Sequence, residues 1–174
     1  MKIPDDTSAQ FAQSSPPGWD TLVEVSARLE KSGVVHALGG TGLLHCLGFP
    51  VQPRDWDLLT DARRGASCKA LAGHEIRMPG PSALYPSNYL LQIRAESTVI
   101  ELIGSFAIAL PDRVIRIPTR VWRYHRGVPL GHPDDWIRAY RAITTLHPGD
   151  ARGDGAKIAM LQQALDSEQN RDGY

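Results

Sequence analysis

The chain has 174 residues, 19 basic and 19 acidic side chains, and 42% apolar residues. At this length and composition one domain with a proper core is expected and a wholly disordered chain is excluded. No apolar run reaches the ~20 residues of a membrane helix, and the N-terminus lacks the apolar stretch of a secretory signal. Cys46 and Cys68, in neither metal nor redox spacing, read as free thiols in a reducing cytoplasm.

Residues 1–18 are polar and close on Ser14-Ser15-Pro16-Pro17-Gly18, which reads as a mobile arm ahead of a single domain over residues 19–174. Leu22, Val23, Val25, Ala27 and Leu29 sit among Glu24, Arg28, Glu30 and Lys31, an amphipathic spacing that predicts a helix over 19–31 with Gly33 just beyond it. Residues 34–38 form an apolar run of strand length, stopped by Gly39-Gly40. A helix is expected over 41–47, closed by Gly48 and Pro50. A strand over 55–60 and a helix over 62–72 follow. Strand-like runs then occupy 75–78, 89–95, 98–108 and 113–121, separated by Pro- and Gly-rich breaks. Two helices close the chain, one from His132-Pro133-Asp134-Asp135 through Ile143 and one over 155–167. The layout predicts an α+β fold: a mixed sheet flanked by helices, with helices at the C-terminus.

Three features carry chemistry. The first is the strand–Gly-Gly–helix turn at Gly39-Gly40-Thr41. Glycines let a backbone turn tightly and approach a ligand closely, and the N–H groups that open a helix suit a phosphate. The second is Asp55-Trp56-Asp57-Leu58-Leu59. On a strand the two aspartates share one face, roughly 7 Å apart at Cα, and can converge on a divalent cation. Two solvated acids at a strand entry are an equally ordinary reading. The third is Glu101, set in Thr98-Val99-Ile100-Glu101-Leu102-Ile103. A run apolar on both faces predicts a central strand, where a buried carboxylate needs a cation or a fixed donor. Arg94 on the preceding strand is the ordinary partner for it.

In this order the motifs resemble the nucleotidyltransferase superfamily with the polymerase-beta-type palm, and among it the small single-domain members. The resemblance runs from residue 34 to about Glu101, and more loosely into the C-terminal helices. It implies a nucleotidyltransferase-like mixed sheet. It implies that Gly39, Gly40 and Thr41 bind nucleotide phosphates, and that Asp55 and Asp57 hold Mg²⁺. Glu101 would be the third metal-sharing carboxylate or the base. The activity implied is transfer of NMP from an NTP to a hydroxyl of an unidentified acceptor: a small molecule, an RNA end or a protein. Two positions depart from the usual pattern: Glu101 stands where Asp is common, and Gly153-Asp154 where a Lys-Asp pair is.

Two other readings compete. A degenerate nucleotidyltransferase fold could serve as a binding module, such as a partner in a toxin system. Alternatively, the seven arginines between Arg113 and Arg141, set against two aspartates, could bind RNA or DNA. Trp122, Tyr124 and Trp136 lie among them; core or rim packing is their ordinary use. His36 on an apolar strand reads as a satisfied core histidine rather than a ligand. His45 and Cys46 have no second ligand pair for zinc.

Overall fold

The computed structural model describes residues 15–80, 82–149 and 153–170. Most of the expected N-terminal arm, residues 1–14, lies outside the described residues. Its last part is docked: the Pro17 carbonyl accepts the indole N–H of Trp56 at 3.0 Å.

Helix α1 (Trp19–Lys31) buries Leu22, Val25, Ser26 and Leu29 on one stripe. It ends at Ser32, and Gly33 continues at φ 71°, a left-handed conformation that glycine adopts without a Cβ penalty. Strand β1 (His36–Leu38), helix α2 (Gly40–Cys46), strand β2 (Trp56–Thr60) and helix α3 (Arg64–Ala70) follow. Then come β3 (Ile76–Arg77), β4 (Tyr89–Ala95), β5 (Thr98–Gly104), β6 (Ala107–Ala109), β7 (Val114–Arg116), β8 (Val121–His125) and β9 (Val128–Gly131). Helices α4 (Pro133–Leu146) and α5 (Asp154–Gln169) close the chain. Among the described residues no helix is long and apolar enough to cross a membrane.

The main sheet has seven strands in the order β3-β4-β5-β2-β1-β9-β8, and β6 pairs with β7 apart from it. The sheet is mixed: β2 runs parallel to β5 and β1 parallel to β9, while the other pairs are antiparallel. The expected α+β class with C-terminal helices is therefore the observed one.

Two strand expectations need correction. The run 98–108 divides, because Ser105 takes φ 52° and turns the chain between β5 and β6. The run 113–121 breaks after Arg116, where Pro118 supplies no N–H for a ladder. A hairpin that the sequence reading passed over, β8–β9, follows. Its two-residue turn, Arg126-Gly127, has positive φ at both positions (47° and 83°), the geometry that matches the twist of antiparallel strands.

The sheet's two faces are unlike. Trp56, Leu58, Ile100, Leu102, Leu91 and Ile93 are register partners on one face and are all buried. Helix α1 covers this face, with Trp19 meeting Trp56 edge-on at a centroid distance of 5.6 Å. Removing about 1.5–3 kcal/mol worth of apolar surface per large side chain from water is what holds this layer. On the opposite face, one residue out of phase, stand Asp57, Glu101 and Gln92. Buried packing on one face thus fixes which way the acids point.

Candidate active site

The parallel register places Asp57 directly beside Glu101. Neighbouring strands lie about 4.8 Å apart, so these two side chains emerge side by side from one face. Asp55, immediately before β2, shares that face with Asp57 by alternation. Asp55 is exposed, and Asp57 and Glu101 are half-buried.

All three acids line one cleft of about 540 Å³, which is also lined by Gly40, Thr41, Arg64, Tyr140 and Lys157. The sheet supplies the acids, the head of α2 supplies Gly40 and Thr41, and α4 and α5 supply the opposite wall.

Glu101 differs from the sequence expectation in one respect. It is half-buried at an open cleft rather than sealed in a core, so its carboxylate does not depend on a cation to persist there. Its partner is Gln92, its register neighbour on β4, which donates to Oε1 at 2.6 Å; Arg94 pairs instead with the Val99 position. The amide fixes one carboxylate oxygen.

The two glycines do different jobs. Gly40 has φ 56° and lies so close to Asp57 that a Cβ there would fall 3.2 Å from the carboxylate carbon and overlap Oδ2. Gly39 is covered by the indole of Trp136, which occupies the space a side chain would need. Gly40 and Thr41 therefore reach the cleft, while Gly39 seats Trp136 and holds the turn through its N–H bond to the Asp57 carbonyl at 2.8 Å.

Trp136 is buried, as its core reading expected, and it belongs to an aromatic row. Tyr85 stacks on Phe106 at 6.4 Å, Phe106 on Trp136 at 5.9 Å, and Trp136 meets Tyr140 at 5.8 Å. Helix α4 is held for this by a built N-terminus. His132 Nδ1 accepts the Asp134 N–H, Pro133 opens the helix, and buried Asp135 accepts from Arg120 Nε at 2.6 Å.

Lys157 was missed by the sequence reading. Its Nζ donates to Asp154 Oδ1 at 3.2 Å and lies 5.1 Å from the Tyr140 ring centroid. Asp154 is itself buried, so the lysine is held at the cleft wall from below. The legible signal was Asp154-x-x-Lys157, an i,i+3 pair on a helix. It stands one turn beyond the Gly153-Asp154 position where a basic residue was absent.

The arginines between 113 and 141 are largely engaged elsewhere. Arg113 pairs with Asp112, Arg116 donates to the Ser105 carbonyl, Arg138 donates to the Arg116 carbonyl, and Arg123 lies over Trp122. None of them lines the cleft.

Among the described residues no group of three or more His, Cys, Asp or Glu is gathered tightly enough to cage a metal. The donor set nonetheless fits magnesium. Mg²⁺ prefers hard oxygen ligands and commonly takes one or two carboxylates with substrate phosphates and water, rather than an all-protein cage. Asp55, Asp57 and Glu101 offer only such oxygens along one cleft wall.

No protein-family model matches the chain, and no curated protein is similar to it in sequence. Solved structures are similar in fold. A Thermotoga maritima protein described as a nucleotidyltransferase superposes with a TM-score of 0.55 at 18% identity, over 85% of this chain and 92% of that one. The enzyme ANT(2″)-Ia, solved in complex with adenylyl-2″-tobramycin, gives 0.60 at 14% identity over 86% and 90%. A Megavirus polyadenylate synthase gives 0.52 at 10% identity, over 93% of this chain but 37% of that one. The chain has the nucleotidyltransferase fold.

Proposed function

We propose that the protein transfers a nucleoside monophosphate from an NTP to a hydroxyl group, in a reaction that depends on Mg²⁺. The observation that carries this reading is the pairing of Asp57 with Glu101 on parallel strands, in the cleft that also receives Gly40 and Thr41. A fold alone does not assign chemistry; a carboxylate pair beside a side-chain-free turn supports it.

Asp55 and Asp57, with Glu101, would hold the metal, which when bound supplies neutralisation of phosphate charge during an in-line displacement. Gly40 leaves room for the Asp57 carboxylate, which fills the space a side chain would take, and so keeps that acid against the head of α2 where a phosphate would be held. The Thr41 hydroxyl offers a further donor. Lys157 faces the same space and supplies positive charge where pyrophosphate departs.

The acceptor oxygen forms a bond to the α-phosphorus as the α–β bridging bond breaks. The electron pair of that bond leaves on pyrophosphate. The acceptor's proton passes to Glu101, whose second oxygen Gln92 orients by holding the first. An RNA end reaching this centre would do so without the arginines of residues 113–141, which lie outside the cleft.

Titration of an NTP analogue in the presence and absence of Mg²⁺ tests the reading. Wild-type protein should bind the nucleotide in a metal-dependent way, and Asp55→Asn and Asp57→Asn together should abolish that dependence. Equal binding by the double variant would remove the assignment.

A further inference from the structure

The cleft has two unlike halves. One holds the charge: the three acids on the sheet, Gly40 and Thr41 at the head of α2, and Lys157 on α5. The other half runs from Glu101 along β4 and β5 to the segment 78–89. Tyr85, Tyr89, Leu90, Ile103 and Phe106 line it, with Asn88 among them. Among the described residues no acid lines the cleft besides the three already named. Arg64 is the cation on this side; it opens α3, the element whose Ser67 contacts the Tyr89 hydroxyl at 2.7 Å.

This wall is built in advance. The Tyr89 ring lies across Gly104, in space any Cβ would close, and its hydroxyl donates to the Ala62 carbonyl at 2.9 Å. The segment is laced to the sheet by three further bonds: Asn88 N to Gly104 O at 2.8 Å, Ala107 N to Ser87 Oγ at 3.1 Å, and Ala109 N to Leu84 O at 2.9 Å. The aromatic row ends here, with Tyr85 near-parallel to Phe106 at 18° and only partly buried. A wall fixed in advance, aromatic and aliphatic with Ser82, Ser87 and Asn88 among its residues, is suited to a small aromatic molecule bearing a hydroxyl, because little ordering is needed on binding.

We propose that this half binds the acceptor, and that the acceptor is a small aromatic hydroxyl compound carrying no positive charge. The proposal rests on the nucleotidyl-transfer reading and names its second substrate. The acceptor's ring lies against Tyr85, which Phe106 backs from the core, and its hydroxyl reaches Glu101, which takes the proton as the oxygen bonds to the α-phosphorus and pyrophosphate leaves. A polycationic sugar would meet an apolar wall and Arg64, with no added carboxylate to replace its lost hydration. Among the described residues the cleft offers a nucleic-acid end no row of cations for its phosphates.

The test is ligand-observed NMR on the full chain with Mg²⁺ and a non-hydrolysable ATP analogue. The probes are tyrosol as a neutral aromatic alcohol, tobramycin as a polycation, and a short oligoribonucleotide. Tyrosol should bind together with the analogue. Tyr85→Ala should weaken tyrosol about fivefold, as expected for a lost ring stack, while Tyr85→Phe restores it and the analogue's affinity stays within about twofold in both. Displacement of tyrosol by tobramycin or the oligoribonucleotide would overturn the proposal. So would competition between tyrosol and the analogue, which would assign the wall to the base, or no tyrosol binding to protein that holds the analogue. Failure of the analogue to bind wild type, or equal binding to the doubly substituted aspartate variant, marks failure of the nucleotidyl-transfer reading, and the acceptor assignment falls with it.

Discussion

Replacing Gly40 by alanine separates the proposed chemistry from the fold. Two costs arise at this position. The first is conformational: Gly40 has φ 56°, and an L-residue in the left-handed region costs roughly 1–2 kcal/mol. For a domain of this size each kcal/mol lowers Tm by about 2–4 °C, so the melt should fall by about 2–8 °C. The second is steric. The new Cβ overlaps Asp57 Oδ2, and ordinary contact near 3.5 Å requires that oxygen to retreat by about 1 Å. Misplacing a reacting or ligating group by about 1 Å costs on the order of 10²-fold in rate. Gly33→Ala is the control. Gly33 has φ 71° and nothing within 4 Å of a Cβ, so it carries the first cost without the second. Gly33→Ala should melt earlier by about 2–8 °C, and Gly40→Ala by at least as much, because its steric cost adds to the conformational one. Only Gly40→Ala should lose metal-dependent NTP binding and slow pyrophosphate release about 100-fold. If the two variants bind NTP equally well, the close approach of Gly40 to Asp57 has no part in the site.

Other outcomes follow from particular residues. Lys157→Met should raise the dissociation constant of an NTP analogue severalfold, about tenfold at most, with the affinity of the nucleoside unchanged, because the proposed reading sets this cleft lysine against phosphate rather than base; calorimetric titration of both ligands reads the difference. His36 is buried, and burial holds its pKa below the usual value against the opposing effect of its bond to the Val34 carbonyl at 2.9 Å. The fold keeps the ring neutral while the unfolded chain protonates near pH 6.5. Stability should therefore be complete above that pH and be lost as pH falls through it toward the lower folded value, by urea melts across pH 5–8. Ser26→Ala removes the hydroxyl that lies 2.7 Å from His36 Nε2. It should cost about 1–3 kcal/mol, because a buried nitrogen is left without a partner. Burial pushes the Cys46 thiol up to about 12, whereas Cys68 is partly accessible. A thiol reagent at pH 8 should label Cys68 in the native protein and reach Cys46 only on unfolding.

Local pattern was enough for most elements. The i, i+3, i+7 series Leu22, Val25, Leu29 gives α1 to the residue, and the break at Gly39-Gly40 separates β1 from α2. Alternation in Asp55-Trp56-Asp57 puts both acids on one face because side-chain direction has period two. The motif order then pointed to the fold. What alternation does not carry is which strand lies beside β2. Asp57 and Glu101 are 44 positions apart, and their pairing exists only because β5 enters the sheet parallel to β2 with the Trp56–Ile100 layer buried beneath. The same holds for Gln92 as the partner of Glu101, which is a matter of the β4–β5 register rather than of charge.

Other features depended on contacts between distant segments. The Arg126-Gly127 turn was legible as a hairpin signal, but its apolar return strand β9 becomes a sheet member only by docking beside β1. The division of labour between Gly39 and Gly40 depends on Trp136, a residue nearly a hundred positions later, settling over one of them. Lys157 stands at the cleft because α5 packs against α4, a contact that nothing in its local sequence specifies. The sequence by itself determined the helices, the strands up to β5 and the shared face of Asp55 and Asp57, since these follow from periodicities within a few residues. The tertiary structure alone decided which acids are neighbours, which glycine meets the cleft and which cation stands opposite. Those relations come from burying apolar surface between segments far apart in the chain, and no local periodicity records them.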